Sequence, residues 1–114
     1  MIEEPPFCYL TTIGRRTHRP HEIEIWFARE GNSLYVLSGG RDRSDWVRNL
    51  QRDPRVTVRI LDRTHHATAR VVEPDTEEDA LARRLLLAKY QTPGGDDLTN
   101  WGRTALPVAL DLLS

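Results

Sequence analysis

The stretch LTTIGRRTHRPHEIEIWFA, Leu10 to Ala28, decides what this chain can become. It begins as a run of β-formers, breaks at Gly14, sets down Arg15, Arg16 and Arg19, and resumes a two-residue alternation at His21. Ile23, Ile25 and Phe27 fall on one side of the resumed segment, and Glu22, Glu24 and Trp26 on the other, which is the period of a half-buried strand. Strand, tight turn and strand together read as an antiparallel hairpin. Guanidinium groups are permanently charged, so three in one turn repel unless water or an anion lies between them. The turn is either a solvated hairpin tip or an anion-binding element, and its residues leave both readings open.

Outward from this hairpin the same grammar continues. PPFCYLTTIG (Pro5–Gly14) predicts a first strand, with Phe7, Tyr9 and Thr11 on one face and Cys8, Leu10 and Thr12 on the other. Glu30 to Asn32 connects HEIEIWFAR to a third strand, SLYVLSGG, Ser33 to Gly40. RDRSDWVRNLQRDP (Arg41–Pro54) predicts a short helix with Ser44 as N-cap, Pro54 past its end, and Trp46, Val47 and Leu50 as its buried stripe. RVTVRIL and HHATARVVE predict a fourth and a fifth strand, with Val56, Val58 and Ile60 inward. PDTEEDALARRLLLAKYQ predicts the second helix, opened by a capping box of Asp75 and Glu78, with Leu81, Leu85 and Ala88 on one face. TPGGDD is a loop and ALPVALDLL a closing strand. The expected fold is mainly β (α+β): about six antiparallel strands with two helices, curled into a small barrel because closure removes exposed sheet edges. One domain over residues 1–114 is expected.

Composition bounds the function. The 16 basic and 17 acidic residues nearly cancel, so no bulk attraction to nucleic acid is expected, and any anion site must be local. No apolar run reaches the roughly 20 residues of a membrane span. The acidic, proline-rich MIEEPPF does not read as a signal peptide, and the expected location is the cytoplasm. Cys8 is the single cysteine, which excludes an intramolecular disulfide. His65 and His66 point to opposite faces of a strand, and His18 and His21 flank the basic turn without a known ligand spacing, so no metal site is expected.

Two segments carry binding chemistry. The basic turn offers guanidinium forks suited to phosphate or carboxylate. SGGRDRSDW (Ser38–Trp46) pairs glycines, which allow close backbone approach, with the start of a helix and two more arginines. It reads equally as a flexible connection. Glu22 and Glu24 read as the solvated face of their strand, and Tyr90 and Trp101 flank the QTPGGDDLTN loop as either a lid or an anchor.

Taken in order, LTTIGRRT (Leu10–Thr17), YVLSGGRDRSDWVRNLQRDPRVTVRI (Tyr35–Ile60) and NWGRTALPV (Asn100–Val108) resemble the deazaflavin-dependent nitroreductase family, the split-barrel quinone and nitro reductases. The resemblance implies a split β-barrel and an 8-hydroxy-5-deazaflavin, coenzyme F-420, with a phosphate and an oligoglutamate tail. It places Arg15 and Arg16 on that anionic tail, with Thr17 after them. Ser38, Gly39 and Gly40 would form the loop beside the cofactor, and Trp46 and Asn49 the helix after it. Glu24, Trp26 and Trp101 would line the substrate pocket, and Tyr90 would contact the substrate or donate a proton. The activity implied is hydride transfer to a quinone, nitro compound or activated double bond as small-molecule acceptor. Two alternatives stand beside it: a split-barrel oxidoreductase using FMN, and a non-catalytic protein that binds the cofactor or haem. His18 departs from the family's usual glycine in the turn, and Glu24 from a common proline. The family's N-terminal extension has no counterpart here, so no membrane association is expected. A homodimer is compatible with the apolar helix stripe.

Overall fold

The structure is a computed structural model and describes residues 4–113, so the first residues of the acidic N-terminal stretch lie outside it. Among these described residues seven strands form one antiparallel sheet: β1 (Cys8–Ile13), β2 (Pro20–Ile25), β3 (Ala28–Glu30), β4 (Ser33–Ser38), β5 (Arg55–Ile60), β6 (Arg63–Val71) and β7 (Leu106–Leu112). Three helices join them, α1 (Asp45–Arg52), α2 (Glu77–Tyr90) and α3 (Thr99–Thr104), and a single 3-10 turn at Arg41–Arg43 precedes α1.

The strand order β2-β1-β5-β6-β7-β4-β3 dictates the shape. Six gaps of about 4.8 Å would hold the outer strands of a flat sheet about 29 Å apart. Yet β2 and β3 are joined only through Trp26 and Phe27, a link that spans about 10 Å. The sheet must therefore curl until its two edges meet, and the result is a split barrel.

The break between β2 and β3 divides what the alternation predicts as one strand. Phe27 N–H is captured by Tyr90 Oη at 2.9 Å, and Phe27 O accepts from Lys89 Nζ at 2.7 Å. With its backbone groups taken by the end of α2, Phe27 leaves the ladder, and Ala28 starts a new pairing with Tyr35 of β4. This adds one strand to the expected six. The third helix, α3, arises in the segment after the glycine loop.

Two cores follow from strand alternation. Inside the barrel, Cys8, Leu10, Val36, Val56, Val58, Val108 and Leu110 pack with Phe27 and with Val47 and Leu50 of α1, which plugs one end. Outside it, Tyr35, Leu37 and Ala109 meet Ala82 and Leu86 of α2. β4 is thus buried on both faces. An ion cluster fastens α2 here: Arg70 donates to Glu78 at 2.6 and 2.7 Å and to Asp111 at 2.7 Å, while Tyr35 Oη donates to Glu78 at 2.7 Å.

Three local expectations are corrected. The N-cap of α2 is Thr76, whose hydroxyl accepts from Asp79 N–H at 3.1 Å, and Asp75 takes a left-handed φ of 61° just before it. Ala88 is exposed, and the helix buries Ala82 and Leu86 instead. In α1, Ser44 holds the N-cap position without a capping bond, its hydroxyl lying 2.8 Å from Ser38 Oγ, and Trp46 is half-buried beside a cavity.

Candidate functional site

Gly14 to Arg19 closes tightly: Gly14 N–H donates to Arg19 O and His18 N–H to Gly14 O, both at 2.8 Å. Thr17 Oγ1 lies 3.1 Å from His21 Nε2 and accepts from Arg19 N–H at 3.2 Å. A Cβ on Gly14 would press on Thr17 Oγ1 and sit 2.6 Å from His21 Nε2, so a side chain there would have to displace both. His18 has a φ of 60°, the left-handed region that favours glycine.

The turn's charges divide. Arg15 is held from two sides, donating through Nη1 to Asn49 Oδ1 at 2.9 Å and through Nη2 to Asp45 Oδ1 at 3.0 Å. Asn49 Oδ1 also accepts Arg15 N–H at 3.1 Å, and its amide donates to Thr12 Oγ1 at 3.2 Å. Asn49 is 5 % exposed, so this relay locks the turn onto α1 from within the core. The Asp45 side chain is 85 % exposed, the Arg15 side chain 22 %. Arg16 is exposed and forms no ion pair among the described residues.

These groups line a cavity of about 710 Å³ between β1, β2 and α1, walled by Thr12, Ile23 and Trp46 and bearing Arg15, Arg16, Thr17 and Asn49. Glu22 and Asp45 also reach it. A second cavity, of about 460 Å³, follows along the same strand. Glu22 and Ile23 line the first, Glu24 and Ile25 the second, which Trp26, Leu37, Leu98 and Trp101 complete. The Trp26 ring stacks on Tyr90 at 4.3 Å with an interplanar angle of 2°, and Trp101 meets it edge-on at 5.6 Å.

The loop after β4 lies beside these cavities. Ser38 is buried, its hydroxyl donating to Arg41 O at 2.8 Å. Gly39 and Gly40 are exposed, and the Arg41 guanidinium donates to Thr104 O. A Cβ on Gly39 would reach Trp101 only at ordinary contact distance, 3.8 Å, whereas one on Gly40 would lie 2.6 Å from Ser44 Oγ.

The Tyr90 hydroxyl is engaged by backbone. It accepts Phe27 N–H, donates to Pro6 O at 2.7 Å, and lies 3.0 Å from Phe27 O. Burial is the main cause that pushes it up to about 12. The buried Cys8 thiol is likewise pushed up to about 12 by desolvation, which keeps it protonated and unreactive. Among the described residues no group of three His, Cys, Asp or Glu could hold a metal ion, and no helix is long and apolar enough to cross a membrane.

The curled antiparallel barrel thus carries a basic turn, an aromatic wall and two cavities that share β2. The sequence model described as F420H(2)-dependent quinone reductase matches residues 1–112. The chain belongs to that family. It is an oxidoreductase, and membership implies coenzyme F-420 as its cofactor. A Mycobacterium tuberculosis (strain H37Rv) protein named F420H(2)-dependent quinone reductase is 26% identical over 114 residues, covering 96% of this chain and 74% of its own length. Among solved structures, an F420-H2 dependent reductase superposes with a TM-score of 0.74 at 19% identity, covering 96% of this chain and 97% of that one. The haem storage protein HutZ of Vibrio cholerae gives 0.78 at 17% identity, covering 96% and 82%. These two likenesses establish the split barrel alone, since one barrel serves several uses.

Sequence reasoning missed Asp45, which meets Arg15 across 30 positions of chain. The paired spacing of Asp45 and Asn49 on one helix face was the available signal.

Proposed function

We propose that this member of the family reduces quinones, with the nitro compounds and activated double bonds of the wider group as further acceptors. The observation that carries the reading is the pair of cavities sharing β2, one with a basic turn and one walled by two tryptophans. When bound, reduced coenzyme F-420 supplies a hydride, and a quinone that takes it together with one proton becomes the hydroquinone.

The chain's own residues do the holding. Arg16 offers its free fork to the cofactor's anionic arm, and Arg15 presents a guanidinium whose direction is fixed by Asn49. Asn49 is a positioning residue, since its amide is spent inside the protein. Thr17 keeps the turn closed, and Ser38 ties down the loop that presents Gly39 and Gly40. Trp46 walls the first cavity. Trp26, Trp101, Ile25, Leu37 and Leu98 offer the acceptor an apolar surface that excludes water around the transferring hydride. The Tyr90 hydroxyl donates to Pro6 O, so its role is to brace Trp26 by stacking, and water at the open mouth brings the proton.

The test is a titration of the purified protein with oxidised coenzyme F-420 and, in parallel, with FMN, followed by cofactor fluorescence. Tighter binding of the deazaflavin, and its quinone-dependent oxidation once reduced, is the expected result. Preference for FMN would overturn the cofactor assignment, and binding without turnover by any quinone would overturn the activity.

A further inference from the structure

The second cavity has an unusual charge. Arginines and acids balance in the first, where Arg15 and Arg16 face Glu22 and Asp45. In the second, Glu24 is the sole charged residue among Glu24, Ile25, Trp26, Leu37, Leu98 and Trp101. The neighbouring Glu22 has Arg59 at 3.7 Å, and that guanidinium also covers the Tyr9 ring at 4.2 Å. Among the described residues Glu24 forms no ion pair, and its carboxylate accepts only a long 3.4 Å hydrogen bond from Tyr9 Oη.

A cavity lined by one carboxylate residue and two tryptophans, without a cation in its lining, is complementary to positive charge on a flat ring. Indole faces attract cations through their quadrupole, and the carboxylate adds a Coulomb term at the rim. A lone carboxylate cannot hold a metal ion, which needs several oxygen ligands. An anionic ring meets repulsion from that carboxylate, and no guanidinium or ammonium is among the residues that line the cavity.

We infer that Glu24 makes this cavity selective for planar acceptors that carry a positive charge, and that it excludes anionic ones. The inference rests on the reading of the cavity as the acceptor site, but its binding component can be measured without the cofactor. The probes are two 1,4-naphthoquinones of similar size, one with a quaternary ammonium arm and one with a sulfonate arm. Quenching of tryptophan fluorescence in the cofactor-free protein gives the two dissociation constants.

The cationic probe should bind about two- to fivefold more tightly in dilute buffer, the range of one exposed charge pair, and salt should shrink that ratio. Glu24→Gln should bring the ratio close to one, and Glu24→Lys should invert it. Glu24 is exposed on an edge strand, so both variants should fold, which circular dichroism checks. An equal ratio in the native protein and in Glu24→Gln would overturn the inference. Turnover with the F-420-loaded protein separates the two levels. Quinone reduction with no charge preference defeats the selectivity alone. A Glu24-dependent preference in binding, with no quinone reduced, upholds the selectivity and defeats the reductase reading.

Discussion

Two adjacent arginines of one turn have opposite duties. Arg15 is half-buried and fastened to Asp45 and Asn49, so Arg15→Ala should cost about 1 kcal/mol of stability as well as cofactor affinity. Arg16 is exposed and unpaired among the described residues, so Arg16→Ala should leave stability within about 0.5 kcal/mol. It should weaken F-420 binding about tenfold in dilute buffer, with the gap narrowing as salt screens the guanidinium. Urea melts and fluorescence titrations on both variants check this division, and equal stability losses would refute it. The turn's tightness was legible from Gly14 and the arginine cluster. Which arginine is tethered was not, because the tether comes from α1, and only the folded chain brings Asp45 to Arg15.

At the scale of elements, the end of α2 decides where β2 stops. Tyr90→Phe removes the acceptor of Phe27 N–H and the donor to Pro6 O, and should cost about 1–3 kcal/mol. If Tyr90 acts only by bracing Trp26 through its ring, which Phe keeps, the variant's pH–rate profile keeps the native shape and KM changes little. Loss of a titrating limb would instead identify the hydroxyl as a proton donor. This break explains the main departure from the sequence-based expectation. The alternation runs on through Phe27, which is buried as the pattern requires, but its backbone bonds go to residues more than 60 positions away. Local periodicity carries no record of them. The capping of α2 slipped by one residue for a different reason. Asp75 with Glu78 and Thr76 with Asp79 have the same spacing, and only the left-handed φ at Asp75 selects the second. β1 and β5 were plain in the sequence because each has its alternation unbroken, and β7 because it is a short apolar run buried on both faces.

For the molecule as a whole, stability should form a plateau across neutral pH. Arg70 holds the carboxyls of Glu78 and Asp111 below their usual values of 4.5 and 3.8. Groups depressed in this way stabilise the fold above those values and lose that contribution as pH falls through them. On the alkaline side, burial lifts Tyr35 and Tyr90 from 10.0 to about 12 and Cys8 from 9.0 to about 12. Their contribution is complete below the unfolded values and disappears as pH rises toward 12. Urea midpoints measured from pH 3 to pH 11 should fall at both ends, and Arg70→Met should make the acid limb shallower.

The position of β7 reaches further than packing. It is the last strand among the described residues, yet it lies between β6 and β4, joining the hairpin of β3 and β4 to the other four strands. Until Leu106–Leu112 has left the ribosome, the nascent chain holds two sheet fragments with raw edges and no seam. Closure of the barrel must wait for β7, and until it pairs those raw edges are open to other chains.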